Sequence, residues 1–132
     1  MAEVLVVDDE VEVGEVLRRV LERAGFTVST ANSVAEGLRL AEQSQPDIVV
    51  TDMIMPKVNG IELIKALRSR FPRIRIIAIS GGGSLGLQSY KPDAIKTHAY
   101  LAAAREAGAA EFLTKPFDMA DLLAAIRRQL PN

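Results

Sequence analysis

Short apolar runs alternate along the chain with segments whose apolar residues recur every three or four positions. Val4 to Val7 is a continuous β-branched and leucine run that stops at Asp8 and Asp9, the pattern of a strand covered on both faces. From Glu10 the apolar positions are Val13, Val16, Leu17, Val20, Leu21 and Ala24, one face of a helix, with Gly25 where a C-cap belongs. Phe26 to Ala31 alternates as a second strand, and Ser33 with Glu36 forms a capping-box pattern that opens a helix over Val34, Leu38 and Ala41, bounded by Pro46. Ile48 to Val50 predicts a third strand ending at Asp52, and Ile61, Leu63, Ile64 and Leu67 give the next helix its stripe. Ile74 to Ile79 predicts a fourth strand. The Gly-rich stretch GGGSLGLQSYKP, residues 81–92, separates it from a helix over roughly Asp93 to Ala107, closed by Gly108. A short fifth strand over Glu111 to Leu113 and a last helix complete the pattern. That helix has Asp118 as N-cap, apolar positions Met119, Leu122, Leu123, Ile126 and Leu130, and Pro131 as its stop.

Strict strand-helix alternation predicts an α/β fold, a doubly wound parallel sheet of five strands with five helices on its two faces. In such sheets ligands bind beyond the carboxyl ends of the strands. The residues at those ends are Asp8 and Asp9, then Asp52, then Ser80, then Lys115. One pocket is therefore expected to collect three carboxylates, a hydroxyl and an amine.

Composition bounds the rest. With 132 residues the chain has room for one core, so residues 1–132 are read as one domain. The formal net charge of -1 gives no electrostatic case for nucleic acid or a membrane surface. With no cysteine, disulfides and thiolate metal sites are excluded. The start MAEVLVVDDE lacks the basic and apolar segments of a signal peptide. No apolar run approaches the ~20 residues of a membrane span. A cytoplasmic location is the default expectation.

Carboxylates crowded together repel unless a cation joins them. A hard divalent ion such as Mg²⁺ takes oxygen ligands and suits a pocket without His or Cys. A carboxylate can also attack a phosphoryl donor, and that transfer depends mainly on positioning and charge neutralisation. Lys115 would share the neutralisation, and Ser80 could donate its hydroxyl to a phosphoryl oxygen.

This ordered set resembles the response-regulator receiver domains of two-component signalling, a flavodoxin-like fold. The motifs are VLVVDDE, DIVVTDMIMPKVNGIEL, IIAIS and EFLTKPF, and they span essentially the whole chain. The resemblance implies that Asp52 is the phosphoacceptor. It implies that Asp9 is a direct Mg²⁺ (or Mn²⁺) ligand, that Asp8 acts through water, and that the Ile54 backbone carbonyl completes the set. Ser80 would be the hydroxyl that moves toward the phosphoryl group, Lys115 its ion-pair partner, Phe112 the aromatic switch and Pro116 the cis-proline position. The implied donor is a sensor histidine kinase or a histidine phosphotransfer protein. The implied output is binding of a downstream protein through helix 4, strand 5 and helix 5, by a monomer or weak dimer. Only one helix follows Asp118, so no output domain is expected in the chain, and no direct contact with nucleic acid or membrane.

Several positions carry two readings. From Ser80 to Lys115 the chain exceeds the family expectation by about a dozen residues. Gly81, Gly82 and Gly83 can cradle phosphate through backbone N–H groups, or supply small residues to a loop. Lys57 either alters the charge beside the acceptor or is simply solvated, and Phe112 is equally a core-edge aromatic. His98, the only histidine, is read as structural. Singly, each aspartate would pass for a turn former or helix cap. An unphosphorylated adaptor and an aspartyl-phosphate phosphatase are the competing functions. The complete pocket argues against the adaptor, and the lack of a cap domain or second catalytic acid argues against the enzyme.

Overall fold

The computed structural model describes residues 2–53, 60–80, 102–114 and 117–130. Strands β1 (Glu3–Val7), β2 (Thr27–Ala31), β3 (Ile48–Asp52), β4 (Arg75–Ser80) and β5 (Glu111–Thr114) form one sheet in the order β2-β1-β3-β4-β5, and every pairing is parallel. The helices are α1 (Val11–Arg23), α2 (Val34–Ser44), α3 (Gly60–Arg70), α4 (described over residues 102–107) and α5 (Met119–Gln129). The predicted alternation and the doubly wound class hold. Strand ends move by a residue: β2 begins at Thr27, β4 runs Arg75–Ser80 and β5 reaches Thr114.

The two-residue period of a strand divides the core in two. Leu5, Val7, Val49, Ile76 and Ala78 face α2, α3 and α4, where they meet Ala41, Leu63, Ile64, Leu67 and Ala104. Val4, Val6, Ile48, Val50, Ile77 and Ile79 point the other way and pack on Leu17 and Leu21 of α1 and on Leu122, Ala125 and Ile126 of α5. Each fully buried aliphatic side chain is worth about 1.5–3 kcal/mol, so β1, β3 and β4 are clamped from both sides.

Local signals set the helix ends. Gly25 (φ 101°) and Gly108 (φ 124°) take the left-handed conformation at the ends of α1 and α4, as their positions predict. Ser33 Oγ accepts from the Glu36 N–H at 3.1 Å, but Glu36 returns its carboxylate to the N–H of Asn32, at 3.0 Å, rather than to that of Ser33. Asp118 occupies the N-cap of α5 without a side-chain capping bond, so the position is right and the expected bond is not made. Val16 also departs from expectation. It falls on the stripe of α1 by spacing yet is 54% exposed, because α1 packs on β1 and β2 through Gly14, Leu17 and Leu21 and no described neighbour covers the flank of that stripe.

Candidate functional site

The site is built where the two central strands end together. Val7 of β1 pairs with Thr51 of β3, so the next residues along each strand, Asp8 and Asp52, stand side by side, with Asp9 one position further. The Asp8 N–H donates to the Ala31 carbonyl at 3.0 Å, tying the end of β1 to β2. Asp8 Oδ1 accepts from the Glu10 N–H at 2.9 Å, which orients the carboxylate and turns the chain into α1. Asp8 is 4% exposed and Asp52 8% exposed, while Asp9 is half-buried. One carboxylate oxygen from each of Asp8, Asp9 and Asp52 lies within 4.8 Å of the others.

The backbone around Asp52 is fixed from several directions. The Thr51 hydroxyl donates to the Asp52 carbonyl at 3.0 Å. The Met53 N–H donates to the Ile79 carbonyl at 2.7 Å, and the Gly60 N–H, at the start of α3, donates to the Met53 carbonyl at 3.0 Å. Gly60 was given no role of its own in the sequence pattern; its one signal is its place inside the motif DIVVTDMIMPKVNGIEL, directly before the apolar stripe that begins at Ile61.

At the observed spacing, ionised carboxylates repel by roughly 3 kcal/mol per pair at an effective dielectric constant of about 20. A divalent cation among them converts this repulsion to attraction. The donor set fits a hard ion, since all three groups offer oxygen. Among the described residues, Asp8, Asp9 and Asp52 are the group that could hold a metal ion.

Of the other expected residues, Ser80 ends β4. Asp52 pairs with Ile79, so Ser80 lies one position beyond the acceptor's partner, at the same end of the sheet. Phe112 sits in β5 opposite Ala78, half-buried against the core beneath α2, α3 and α4, with the Arg105 guanidinium 5.4 Å from its ring centre. Lys115 and Ile54 lie outside the described residues, as do Lys57, Gly81, Gly82, Gly83, His98, Pro116 and the stretch 81–92. On the outer edge, Glu111 of β5 receives Arg128 at 2.6 Å and Gln129 at 2.7 Å, both from α5. The hydrogen bond from Arg128 holds the Glu111 carboxyl below the usual carboxylate range, partly opposed by burial and helped by Gln129.

Comparison with known proteins agrees with this geometry. The family model of the response regulator receiver domain matches residues 4–127. The transcriptional regulatory protein PrrA of Mycobacterium leprae is 37% identical over 127 residues, 96% of this chain and 49% of that protein. The chain spans about half the length of most of the curated relatives it matches, and less of some. Among solved structures, a response regulator receiver domain protein from Clostridium thermocellum superposes with a TM-score of 0.80 at 33% identity, covering 98% of this chain and 94% of that one. A response regulator protein from Burkholderia pseudomallei, with a phosphorylated aspartic acid, a calcium ion and citrate, gives 0.78 at 29% identity, covering 95% and 66%. With its sheet order, its acidic strand ends and a family match over nearly its whole length, the chain belongs to the response regulator receiver domains.

Proposed function

We propose that Asp52 accepts a phosphoryl group from a phosphohistidine of a sensor histidine kinase or a histidine phosphotransfer protein, in a site that binds Mg²⁺ (or Mn²⁺). The observation that carries this reading is the meeting of Asp8, Asp9 and Asp52 within 4.8 Å at the ends of two adjacent parallel strands. Receiver domains of response regulators interact with histidine kinases, and the Burkholderia relative carries both a phosphorylated aspartic acid and a calcium ion, which supports the same pairing of acceptor and divalent cation here.

In this reading an Asp52 carboxylate oxygen forms the new P–O bond as the P–N bond to the donor imidazole breaks. A divalent ion held there would supply charge neutralisation for the carboxylates and the phosphoryl oxygens. Asp9 would hold it directly, Asp8 through water, with the Ile54 backbone carbonyl as a further ligand. Lys115 pairs with the phosphoryl group and Ser80 donates its hydroxyl to it. Phe112 then changes rotamer, and the side of the molecule formed by α4, β5 and α5 engages a downstream protein, phosphorylation acting as a ligand that shifts populations. The domain is a cytoplasmic signalling component rather than an enzyme. Among the described residues no helix is long and apolar enough to cross a membrane.

The test is incubation with acetyl phosphate and Mg²⁺, followed by intact-mass measurement. A phosphoryl adduct is expected for the wild type and is expected to vanish with Asp52→Ala or with a chelator. A wild type that takes neither the phosphoryl group nor beryllofluoride defeats the reading.

A further inference from the structure

Gly60 is the first residue of α3 and the point at which that helix touches the end of β3. A Cβ placed on it would stand 2.6 Å from the Asp52 carbonyl oxygen, 2.8 Å from Met53 Cα and 3.0 Å from the Met53 carbonyl oxygen. All three are main-chain atoms, so no side-chain rotation relieves the contact. What the position demands, as the first residue of α3, is the missing volume of glycine.

The backbone pressed by such a side chain cannot retreat easily. Met53 is tied on its far side to β4 by its N–H bond to the Ile79 carbonyl, and Asp52 is paired in register with Ile79. On the near side the Gly60 N–H is bonded to the Met53 carbonyl. Asp52 and Met53 are thus held between α3 and β4, and the same stretch carries the Asp52 carboxylate, 8% exposed and grouped with those of Asp8 and Asp9.

We propose that Gly60 is a positioning residue for the acceptor: the close seating of α3 on the Asp52 and Met53 backbone places the Asp52 carboxylate for the cation and for the incoming phosphoryl group. This rests on Asp52 being the acceptor. It makes two independent demands. Adding a methyl group at position 60 must change the chemistry as well as the stability, and, because coupling is reciprocal, cation binding must in turn tighten the Gly60 contact.

The experiment compares wild type, Gly60→Ala and Gly25→Ala. Gly25 has φ +101° and nothing within 4 Å of its Cβ position, so Gly25→Ala strains the backbone away from the site. Mg²⁺ affinity is measured by titration of amide signals, phosphorylation by acetyl phosphate at saturating Mg²⁺, and stability by thermal melting. In Gly60→Ala the Mg²⁺ Kd is expected to rise about tenfold or more, the scale on which outer contacts tune metal sites. The phosphorylation rate is expected to fall about tenfold or more, as misplacement of a reacting group does. Gly25→Ala is expected to lower Tm and leave both unchanged. Gly60→Ala with the Mg²⁺ Kd and rate of Gly25→Ala overturns the inference. If Gly60→Ala does not fold, hydrogen exchange of the wild-type Gly60 amide decides: slower exchange on adding Mg²⁺ supports the inference, and unchanged exchange while the Asp9 and Asp52 signals shift overturns it. A wild type that neither binds Mg²⁺ nor takes up a phosphoryl group removes the acceptor reading and this inference with it.

Discussion

Strands β3 and β5 lie in one sheet but are held by different forces. All five residues of β3 are buried, and the strand is paired on both sides, by β1 and β4, with aliphatic side chains packed above and below. β5 is an edge strand paired with β4 alone; its residues are half-buried or exposed, and polar contacts tie it to its helices: Glu111 to Arg128 and Gln129, and Phe112 beneath Arg105. The acidic cluster sits at the end of the rigid strand, and the proposed switch residue sits in the loosely held one. An acceptor whose geometry must not drift belongs where displacement is expensive, and an element that must respond belongs where it is cheap.

Core truncation is the strongest way to break this contrast. Ile77→Ala, in the fully buried centre of β4 beside β3, is expected to cost about 2–5 kcal/mol. Leu113→Ala, in half-buried β5, is expected to cost about 1–2 kcal/mol. Chemical denaturation checks both, and equal losses would remove the distinction between centre and edge.

A smaller effect sharpens it. Arg105→Ala is expected to cost about 0.5–1 kcal/mol, the worth of an exposed cation over an aromatic face. A double-mutant cycle with Phe112→Leu is expected to show that the two effects are not additive; full additivity would mean that the guanidinium and the ring do not interact.

The smallest effect is electrostatic. Arg128 holds the Glu111 carboxyl below its usual range, so the folded state binds that proton less tightly than the unfolded state does. The stabilisation is present above the ordinary carboxylate range and is lost as pH falls through the depressed value. Glu111→Gln is expected to lower Tm slightly near neutral pH and to converge with the wild type only as pH falls below the depressed value of Glu111. Melting curves across that window check the sign, and a gap that widens in acid would contradict it.

Much of this architecture is legible in the sequence because period and punctuation report directly on buried faces. Valine and isoleucine runs mark the central strands, and Gly25 and Gly108 mark helix ends that the structure turns through positive φ. The acidic cluster is legible for the same reason: a parallel sheet brings strand ends together, so Asp8, Asp9 and Asp52 meet without any local sequence proximity. What escapes is what depends on neighbours. Val16 has the right spacing but no described element over it. Asp118 stands at an N-cap yet makes no capping bond. Gly60 looks like an ordinary loop-to-helix glycine until the backbone of Asp52 and Met53 is found against it.

The central claim, that Asp52 is the phosphoacceptor, is tested most directly by trapping the acyl phosphate chemically. Protein treated with acetyl phosphate and Mg²⁺ is reduced with borohydride, which converts an aspartyl phosphate to homoserine, and the modified residue is located by peptide mass spectrometry. Conversion is expected at position 52 and at no other carboxylate. Conversion at Asp8 or Asp9 with Asp52 intact would contradict it.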